Sequence, residues 1–417
     1  MSGQTISEKI LSAKSGGAVR PGDIAVCDVD LVIGTDASSP MAIDYFEKMG
    51  GERLFDPSRV VFSLDHYSPP STPKTAAFHD RVRAFAARTG AEVLEVGVGI
   101  SHQVVAERGR VLPGDLVIGA DSHTVTCGAL NLLETGVGSS DLAAAMITGQ
   151  IWLRVPETLR VTLVGWRPRG LTAKDVALEI VGQVGGEGAN YQAVEFHGPA
   201  LPQFTVEDRL VLANLAVEMG AKAAIFPADA ATETYLKGRL AQEIDPVDAD
   251  PGATYAADIT ITLGELSPRI AVPDAPDKVL ALEEVVGQPV QMVFIGTCTG
   301  GRVSDIHEAL KVLNRWGGRV AKGVQLVVTP ASAEVQSKLE GDGSLEKLKA
   351  MGAIITTPGC GACCGTSGVI PGDDMTVLST ANRNFKARMG NPTASIYLAS
   401  PATCAASAAT GRITDAR

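Results

Sequence analysis

The sequence predicts an α/β protein with mostly parallel sheets flanked by helices. Short apolar segments, glycine-rich turns and amphipathic helices follow one another along the chain, and this alternation is typical of parallel sheets. Hydrophobic residues make up 45% of the 417 residues and charged residues 20%, which allows a sizeable core and excludes a largely disordered chain. At roughly 100–200 residues per domain, the length indicates two to four compact units.

The first block of the chain places polar clusters directly after predicted strands. Asp65 and His66 end one strand, and Asp121, Ser122 and His123 follow another. Because ligands of parallel sheets bind beyond the carboxyl ends of the strands, we expect a site there. The predicted elements of this block are strand 59–66, helix 72–90, strand 91–97, strand 114–121 and helix 139–155.

Two further blocks follow Pro156, where the pattern changes. The predicted elements are a strand, turn and helix in 159–186, strand 193–198, a helix and strand in 205–229, a strand after 286, helix 304–315 and strand 324–329. The acidic segment 243–255 contains proline and glycine, which indicates a surface loop near a boundary. We expect three domains, with bounds 1–157, 158–285 and 286–417.

The charge of the chain limits its partners. A net charge of −11 argues against nucleic acid and membrane surfaces, because an acidic surface repels phosphate groups and anionic lipids. The first residues lack the apolar stretch of a signal peptide, and no uninterrupted apolar run approaches the ~20 residues that span a bilayer. We therefore expect a cytoplasmic protein.

Seven cysteines predict a metal or redox site rather than a secreted disulfide framework, because their number is odd and three of them are crowded together. Cys298 follows a predicted strand, and Cys360 and Cys363 form a C-x2-C pair between glycines. Three thiolates suit an iron–sulfur cluster with one open iron or a catalytic zinc. The alternative is small buried residues without a ligand, which is our interpretation of Cys27, Cys127, Cys364 and Cys404.

Three of the six histidines are candidates for acid–base chemistry. His66, His102 and His123 follow strand ends or lie in turns, and each has a polar neighbour. A carboxylate beside an imidazole fixes its tautomer and raises its pKa, which suits a general acid. Together they favour one shared site. We expect His79 and His307, in the middle of helices, to be exposed and without a role.

Other charged groups allow two interpretations each. Glu195 lies inside an apolar strand, so it either joins the site or faces water on an edge strand. Arg383 and Arg388 lie among asparagines in segment 379–392, where guanidinium groups suit carboxylate recognition; the alternative is a solvated loop. The glycine-rich segment 136–141 is only a weak signal for an anion site at a helix start.

Several motifs together resemble the aconitase family, in particular its large subunits of the isopropylmalate dehydratase and homoaconitase groups. The similarity covers essentially the whole chain in the expected order. The matching segments are SLDHYSPP (63–70), GISHQVVAERGRVLPGDLVIGADSHTVTCGAL (99–130), TGVGSSDLAAAMITGQIWLRVPET (135–158), AVEFHG (193–198), IGTCTGGR (295–302), PGCGACCG (358–365) and the segment that begins STANRNFKARMGNP (379–392).

The resemblance implies a three-domain, aconitase-like large subunit with one [4Fe-4S] cluster on Cys298, Cys360 and Cys363. The fourth iron has no protein ligand and acts as a Lewis acid toward the substrate. The implied reaction is reversible dehydration and rehydration of a dicarboxylic acid of the 2-alkyl malate type. Isopropylmalate of leucine biosynthesis is the favoured substrate. Homoaconitate, 2-methylmalate or citraconate, and 2,3-dimethylmalate are alternatives.

The resemblance also implies a role for each polar candidate. The pair that protonates the leaving hydroxyl is Asp65 and His66. The residues that hold the iron-bound water or hydroxide are His102, Asp121, His123 and Glu195. The residues that contact substrate carboxylates or the cluster edge are Ser122, Arg383 and Arg388.

A separate small subunit is the implied partner. In the family, the base that removes the carbon-bound proton is a serine on a swivelling fourth domain, and this chain ends at Arg417 after the third. Two hypotheses from other classes stay open. A zinc or thiol-redox protein explains the C-x2-C pair but not the acid–histidine pairs. An iron-responsive RNA-binding regulator is disfavoured by the negative charge.

Overall fold

The chain folds into three large sheets that follow one another along the sequence, each flanked by helices. The structure is a computed structural model that describes residues 3–240, 243–366 and 369–417. Within these residues the large sheets contain five, four and seven strands, and a two-stranded ribbon accompanies the first. No helix in the described part of the chain combines the length and apolar character that crossing a membrane requires.

The first sheet is parallel and buried. Its strands and those of the ribbon are β1 (Ile24–Asp28), β2 (Leu31–Thr35), β3 (Val60–Ser63), β4 (Glu92–Leu94), β5 (Leu116–Gly119), β6 (Leu133–Gly136) and β7 (Gln150–Arg154). The helices are α1 (Ile6–Ser15), α2 (Ser39–Lys48), α3 (Pro73–Thr89), α4 (Ser101–Glu107) and α5 (Ser139–Thr148). The strand order is β4-β3-β2-β5-β6, and β1 pairs with β7 in the antiparallel ribbon. Strands β2, β3 and β5 are buried along their whole length, as helices on both faces require.

The second sheet is also parallel, with the order β10-β9-β8-β11. Its strands are β8 (Thr158–Val164), β9 (Ala193–His197), β10 (Ala223–Ile225) and β11 (Ala257–Thr262). Its helices are α6 (Ala173–Val184), α7 (Val206–Leu215) and α8 (Ala230–Leu236). It shares one apolar core with the first sheet, because Ile33 and Val117 belong to the same buried cluster as Val161 and Phe196.

The third sheet has the order β13-β12-β18-β17-β14-β15-β16. Its strands are β12 (Arg269–Ala271), β13 (Val279–Ala281), β14 (Met292–Ile295), β15 (Gln325–Val328), β16 (Ala353–Ile355), β17 (Thr376–Ser379) and β18 (Ser395–Leu398). Its helices are α9 (Val303–Arg315), α10 (Ala333–Gly341), α11 (Ser344–Ala350) and α12 (Pro401–Thr410). The strands from β14 onward pair in parallel, whereas β12 is antiparallel to both of its neighbours.

The prediction of an α/β fold with mostly parallel sheets is confirmed. The prediction of one helix over 139–155 is wrong, because α5 ends at Thr148 and residues 150–154 form β7. Gly149 ends the helix with a φ of 72°, a left-handed conformation that glycine adopts without strain. The chain then reverses into the ribbon with β1.

Candidate active site

Strand ends from the first and third sheets meet at one cavity of about 120 Å³. Strands β3 and β5 carry Asp65 and Asp121 beyond their carboxyl ends, and β14 carries Cys298 in the same way. The backbone amide of Cys360 donates to the carbonyl oxygen of Asp65 at 2.9 Å, which ties the cysteine turn to the first sheet. The candidates that line the cavity are His66, His102, Asp121, Ser122, His123, Cys298, Cys360, Cys363, Arg383 and Arg388.

His66 lies between two carboxylates at the cavity wall. Its Nδ1 is 2.8 Å from Oδ1 of Asp65, and its Nε2 is 3.2 Å from Oδ2 of Asp121. Burial lowers the pKa of His66, but electrostatic interactions with Cys360 and the two carboxylates outweigh it and raise that pKa well above its ordinary value. The surroundings of the ring therefore favour its protonated form.

Asp65 supports this arrangement from below the surface. Its carboxylate is fully buried, and Oδ2 accepts a hydrogen bond from the backbone amide of Ser101 at 2.8 Å. Burial raises the pKa of Asp65, but the charge and hydrogen bond of His66 outweigh it, so the pKa is lowered overall. Both shifts favour the charged forms of the pair, a carboxylate beside a protonated imidazole.

Asp121 is the centre of three histidine contacts. Besides His66, its Oδ1 lies 3.4 Å from Nε2 of His102 and accepts from the backbone amide of His123 at 2.7 Å. Burial raises the pKa of Asp121, but the hydrogen bonds from the three histidines lower it well below the ordinary value. The side chain is therefore a fixed negative charge at the cavity wall.

Glu218 belongs to the site, although the sequence analysis did not select it. Its Oε1 is 2.9 Å from Nε2 of His123 and accepts from Nε of Arg383 at 2.8 Å. Burial raises the pKa of Glu218, but His123 and Arg383 lower it overall. Glu218 lies in a single 3-10 turn after α7, in an otherwise apolar stretch. One signal in the sequence could have pointed to Glu218. It is a carboxylate at a position where the helical pattern predicts an apolar residue.

Glu195, which the motif leads us to expect at the site, is not among the residues that line the cavity. Its Oε1 accepts from the backbone amide of Ser7 at 3.1 Å, and its Oε2 accepts from the hydroxyl of Tyr255 at 3.4 Å and lies 3.5 Å from Nε2 of His197. Strand β9 is an inner strand of the second sheet, and Glu195 faces the start of α1. The amino end of a helix stabilises a buried carboxylate, so its burial has a structural cause.

The three cysteines are buried at the cavity, and two of them have N–H donors on their sulfur atoms. Asn214 and Asn382 donate to Sγ of Cys298 at 3.1 and 3.3 Å, and Arg388 donates to Sγ of Cys363 at 3.7 Å. Burial raises the pKa of Cys298 to about 12, and it raises the pKa values of Cys360 and Cys363 as well. A bound metal centre would offset the free-energy cost of ionising these buried thiols. N–H donors to sulfur are typical of cluster ligands.

The backbone around the cysteines adopts conformations that few residue types tolerate. Cys360 directly precedes a 3-10 turn, Gly361–Cys364, which contains Cys363, and Gly361 has a φ of 59°. A Cβ there would lie 2.5 Å from Oγ1 of Thr329, so only glycine fits. Thr297, directly before Cys298, has a φ of 70°, which is strained for a β-branched residue and typical of functional loops.

A second ligand set is compatible with the zinc hypothesis. One ligand atom each of Asp65, His66 and Cys360 lies within 4.8 Å of the others. The His66 ring, however, already contacts two carboxylates that favour its protonated form, whereas a zinc ligand must be a neutral imidazole. Three buried cysteines, two of them with N–H donors on sulfur, fit a cluster better.

Two arginines face the cavity with Ser122. Arg383 donates through Nη1 to Oγ of Ser122 at 2.8 Å. Nε of Arg388 is buried and has no hydrogen-bond partner among the described residues. Burial lowers the pKa of Arg388, but Cys363 raises it overall. Guanidinium groups with donors to spare suit a dicarboxylate ligand.

The remaining candidates divide into structural and peripheral residues. Cys27, Cys127 and Cys404 are fully buried, as expected, whereas Cys364 is half-buried and lines the cavity. His307 is exposed as expected. The prediction that His79 is exposed is wrong: it is 1% exposed, with Nε2 2.9 Å from Oδ2 of a buried aspartate, Asp36.

The glycine-rich segment 136–141 lies in the wall of a neighbouring cavity of about 500 Å³, which Asp121 and Ser122 also line. It therefore borders the site, but its contacts do not assign it a ligand.

A model of the aconitase family, described as aconitate hydratase, matches residues 8–292 and 284–411. The chain is 44% identical to 3-isopropylmalate dehydratase large subunit 1 of Methanopyrus kandleri, over 100% of this chain and 99% of that protein. It is 43% identical to the large subunit 1 of Thermotoga maritima, with the same coverage. It is 44% identical to the large subunit 2 of Archaeoglobus fulgidus, again over 100% and 99%.

The fold is similar to that of aconitase X from Thermococcus kodakaraensis in its holo form. The TM-score is 0.55 at 14% sequence identity, and the match covers 93% of this chain and 91% of that chain. At this identity the likeness concerns the fold alone.

Proposed function

The chain belongs to the aconitase family of hydro-lyases, and from that premise we propose that it is the large subunit of a dehydratase for 2-alkyl malate-type dicarboxylic acids. Isopropylmalate is the favoured substrate, because several relatives that match over their full length are 3-isopropylmalate dehydratase large subunits. The observation that carries the proposal is the position of the His66 ring between Asp65 and Asp121, at a cavity lined by three cysteines and two arginines.

Cys298, Cys360 and Cys363 would hold one [4Fe-4S] cluster per chain. When bound, such a cluster supplies a Lewis acid that polarises the hydroxyl and a carboxylate of the substrate. The buried thiols and the donors Asn214, Asn382 and Arg388 support this assignment. The two asparagines stabilise negative charge on sulfur without adding a formal charge.

His66 acts as the general acid in dehydration. Asp65 holds Nδ1, so the proton on Nε2 faces Asp121 and the cavity, where the leaving hydroxyl accepts it. In the reverse direction, the same nitrogen takes a proton from water. Asp121 is oriented by His102 and His123, and Glu218 orients His123 in turn.

Arg383, Arg388 and Ser122 bind the carboxylates of the substrate. Bidentate guanidinium–carboxylate pairs fix a dicarboxylate in one orientation, and Glu218 holds the Arg383 fork in place. In this proposal the two guanidinium groups balance the two negative charges of the substrate.

A separate small subunit completes the site in this proposal. The relatives are large subunits by name, which supports a small-subunit partner. That partner would supply a swivelling domain and the serine that removes the carbon-bound proton. We place the complex in the cytoplasm, in line with the redox state that free cysteines and a cluster require.

The test is a two-subunit assay after anaerobic reconstitution with iron and sulfide. We expect about four irons and four sulfides per chain, and turnover of isopropylmalate only when the small subunit is present. A panel with homoaconitate, citraconate and 2,3-dimethylmalate separates the alternative substrates. Bound zinc without labile sulfide, or full turnover by the isolated chain, would contradict the proposal.

A further inference from the structure

A second acid–histidine pair, Asp36 with His79, lies behind His66. We propose that this pair is a positioning unit, which holds the backbone turn at His66 and Tyr67 and so aims the His66 imidazole into the cavity. The inference rests on the proposed function, because it assigns a purpose to the orientation of His66.

Asp36 brackets the turn through two successive amides. Its Oδ1 accepts from the backbone amide of His66 at 3.0 Å, and its Oδ2 accepts from that of Tyr67 at 2.9 Å. The Asp36 amide itself donates to the carbonyl oxygen of Ser63 at 2.8 Å, which anchors it to the end of β3. Asp36 is fully buried, so water does not replace these hydrogen bonds.

His79 supplies the third donor to the same carboxylate. It reaches Asp36 from the middle of α3, with Nε2 2.9 Å from Oδ2. A buried carboxylate is stable only when its oxygens accept hydrogen bonds, and His79 adds a second donor to Oδ2 beside the Tyr67 amide. The pair therefore joins helix α3 to the turn after β3.

The bracket controls where the imidazole can lie. The ring of His66 is 2.8 Å from Asp65 and 3.2 Å from Asp121, and both contacts depend on the position of its own backbone. A displacement of about 1 Å at a reacting group can lower a rate about 100-fold. Loss of the bracket should therefore reduce kcat while substrate binding by the arginines is retained.

The first test replaces Asp36 by asparagine. The side chain of asparagine has one acceptor oxygen, and an NH2 group takes the place of the other. It therefore accepts from only one of the two backbone N–H groups. We expect hydrogen exchange at His66 and Tyr67 to increase about tenfold or more, measured by mass spectrometry on the cluster-free chain. In the reconstituted complex, kcat should fall about 10–100-fold with KM within about threefold.

The second test compares two substitutions of His79. Gln retains an N–H donor and should preserve exchange protection and most of kcat, whereas Leu removes the donor and should lower both. His307→Leu is the matched control, because His307 also lies mid-helix beside a carboxylate, 2.7 Å from Asp342, but at the surface. It should leave exchange at the 66–67 turn and kcat unchanged.

Unchanged exchange at His66 and Tyr67 in a folded Asp36→Asn chain would overturn the proposal. So would full kcat in His79→Leu, which also decides the question if Asp36→Asn does not fold. A complex that turns over no dicarboxylate refutes the proposed function instead, and the exchange measurement still tests the bracket.

Discussion

A single oxygen, Oε1 of Glu218, contacts both His123 and Arg383. At the scale of the residue this explains why a carboxylate is buried after α7: it links His123 to Arg383, which we propose binds a substrate carboxylate. Glu195, the glutamate of the more conspicuous motif, contacts neither. The motif predicts a glutamate at the site, and the packing of the second sheet places Glu218, rather than Glu195, in contact with residues that line the cavity.

Replacement of Glu218 by glutamine tests this assignment. The amide has no negative charge to hold both partners, so we expect kcat/KM of the complex to fall about 10–100-fold. Glu195→Gln is the matched control and should keep kcat/KM within about twofold. The reverse ranking in steady-state kinetics would show that Glu195, not Glu218, belongs to the site.

Cys363 and Cys364 are neighbours with different expected roles. Cys363→Ser should abolish cluster retention, because it removes one of three thiolates, while the chain stays folded at a cost of about 1–3 kcal/mol for the buried hydroxyl. Cys364→Ser should retain the cluster. Iron and sulfide stoichiometry after reconstitution, with circular dichroism as the folding control, distinguishes the two. Equal retention in both variants would contradict the ligand assignment.

At the scale of the element, the candidate site lies where several strands end, and the turns after those strands set the positions of its side chains. Strand β3 delivers Asp65 and His66, and β5 delivers Asp121, because their pairing with β2 is parallel and in line. These strands were predicted from their apolar runs. The sequence does not predict the end of helix α5, because the apolar pattern continues through Gly149. The helix is seen to end there only because β7 pairs with β1.

The turn that leads into β5 makes stability depend on pH. Burial, followed by the nearby charge of Asp30, raises the pKa of Asp115 to about 6, above the ordinary value near 3.9. The folded chain therefore binds a proton that the unfolded chain releases between about pH 4 and 6. The contribution of Asp115 to stability is present below that window and is lost as pH rises through it.

We therefore expect Asp115→Asn to flatten the pH dependence. Between pH 4.5 and 7, the free energy of unfolding of the parent chain should fall by about 2 kcal/mol relative to the variant, measured by urea unfolding of cluster-free protein. Asn retains an acceptor for the Leu112 amide, which Oδ2 now binds at 2.7 Å. Parallel curves for the two chains would rule out Asp115 as the source.

At the scale of the whole molecule, contacts between the sheets assemble the cavity. Nζ of Lys174, on α6 of the second sheet, is buried and donates to the carbonyl oxygens of Thr380 and Ala381 at 3.0 and 2.6 Å. Burial lowers its pKa to about 8. These carbonyls precede Asn382, a donor to Cys298. Helix α6 of the second sheet therefore holds in place the segment of the third sheet that contains Arg383 and Arg388.

The three sheets support a division into three domains, which we propose with one adjustment. The boundary expected after 157 falls between β7 and β8. Strands β12 and β13 precede residue 286, yet β12 pairs with β18 of the third sheet. We propose that the third domain begins before β12. Because β12 and β13 are short and pair antiparallel, the sequence contains no signal that assigns them to the second or the third sheet.

The fold class can be predicted from the sequence alone. So can the cysteine set, the Asp65-His66 and Asp121-His123 pairs and the segment 379–392 with its two arginines. These features are local: apolar runs, turn glycines and short motifs follow from neighbouring residues along the chain. The packing in three dimensions was needed to show that Glu218, rather than Glu195, contacts His123 and Arg383, and that His79 is buried against Asp36. Those contacts join residues 95 and 43 positions apart, and which side chains meet over such distances depends on the packing of sheets and helices.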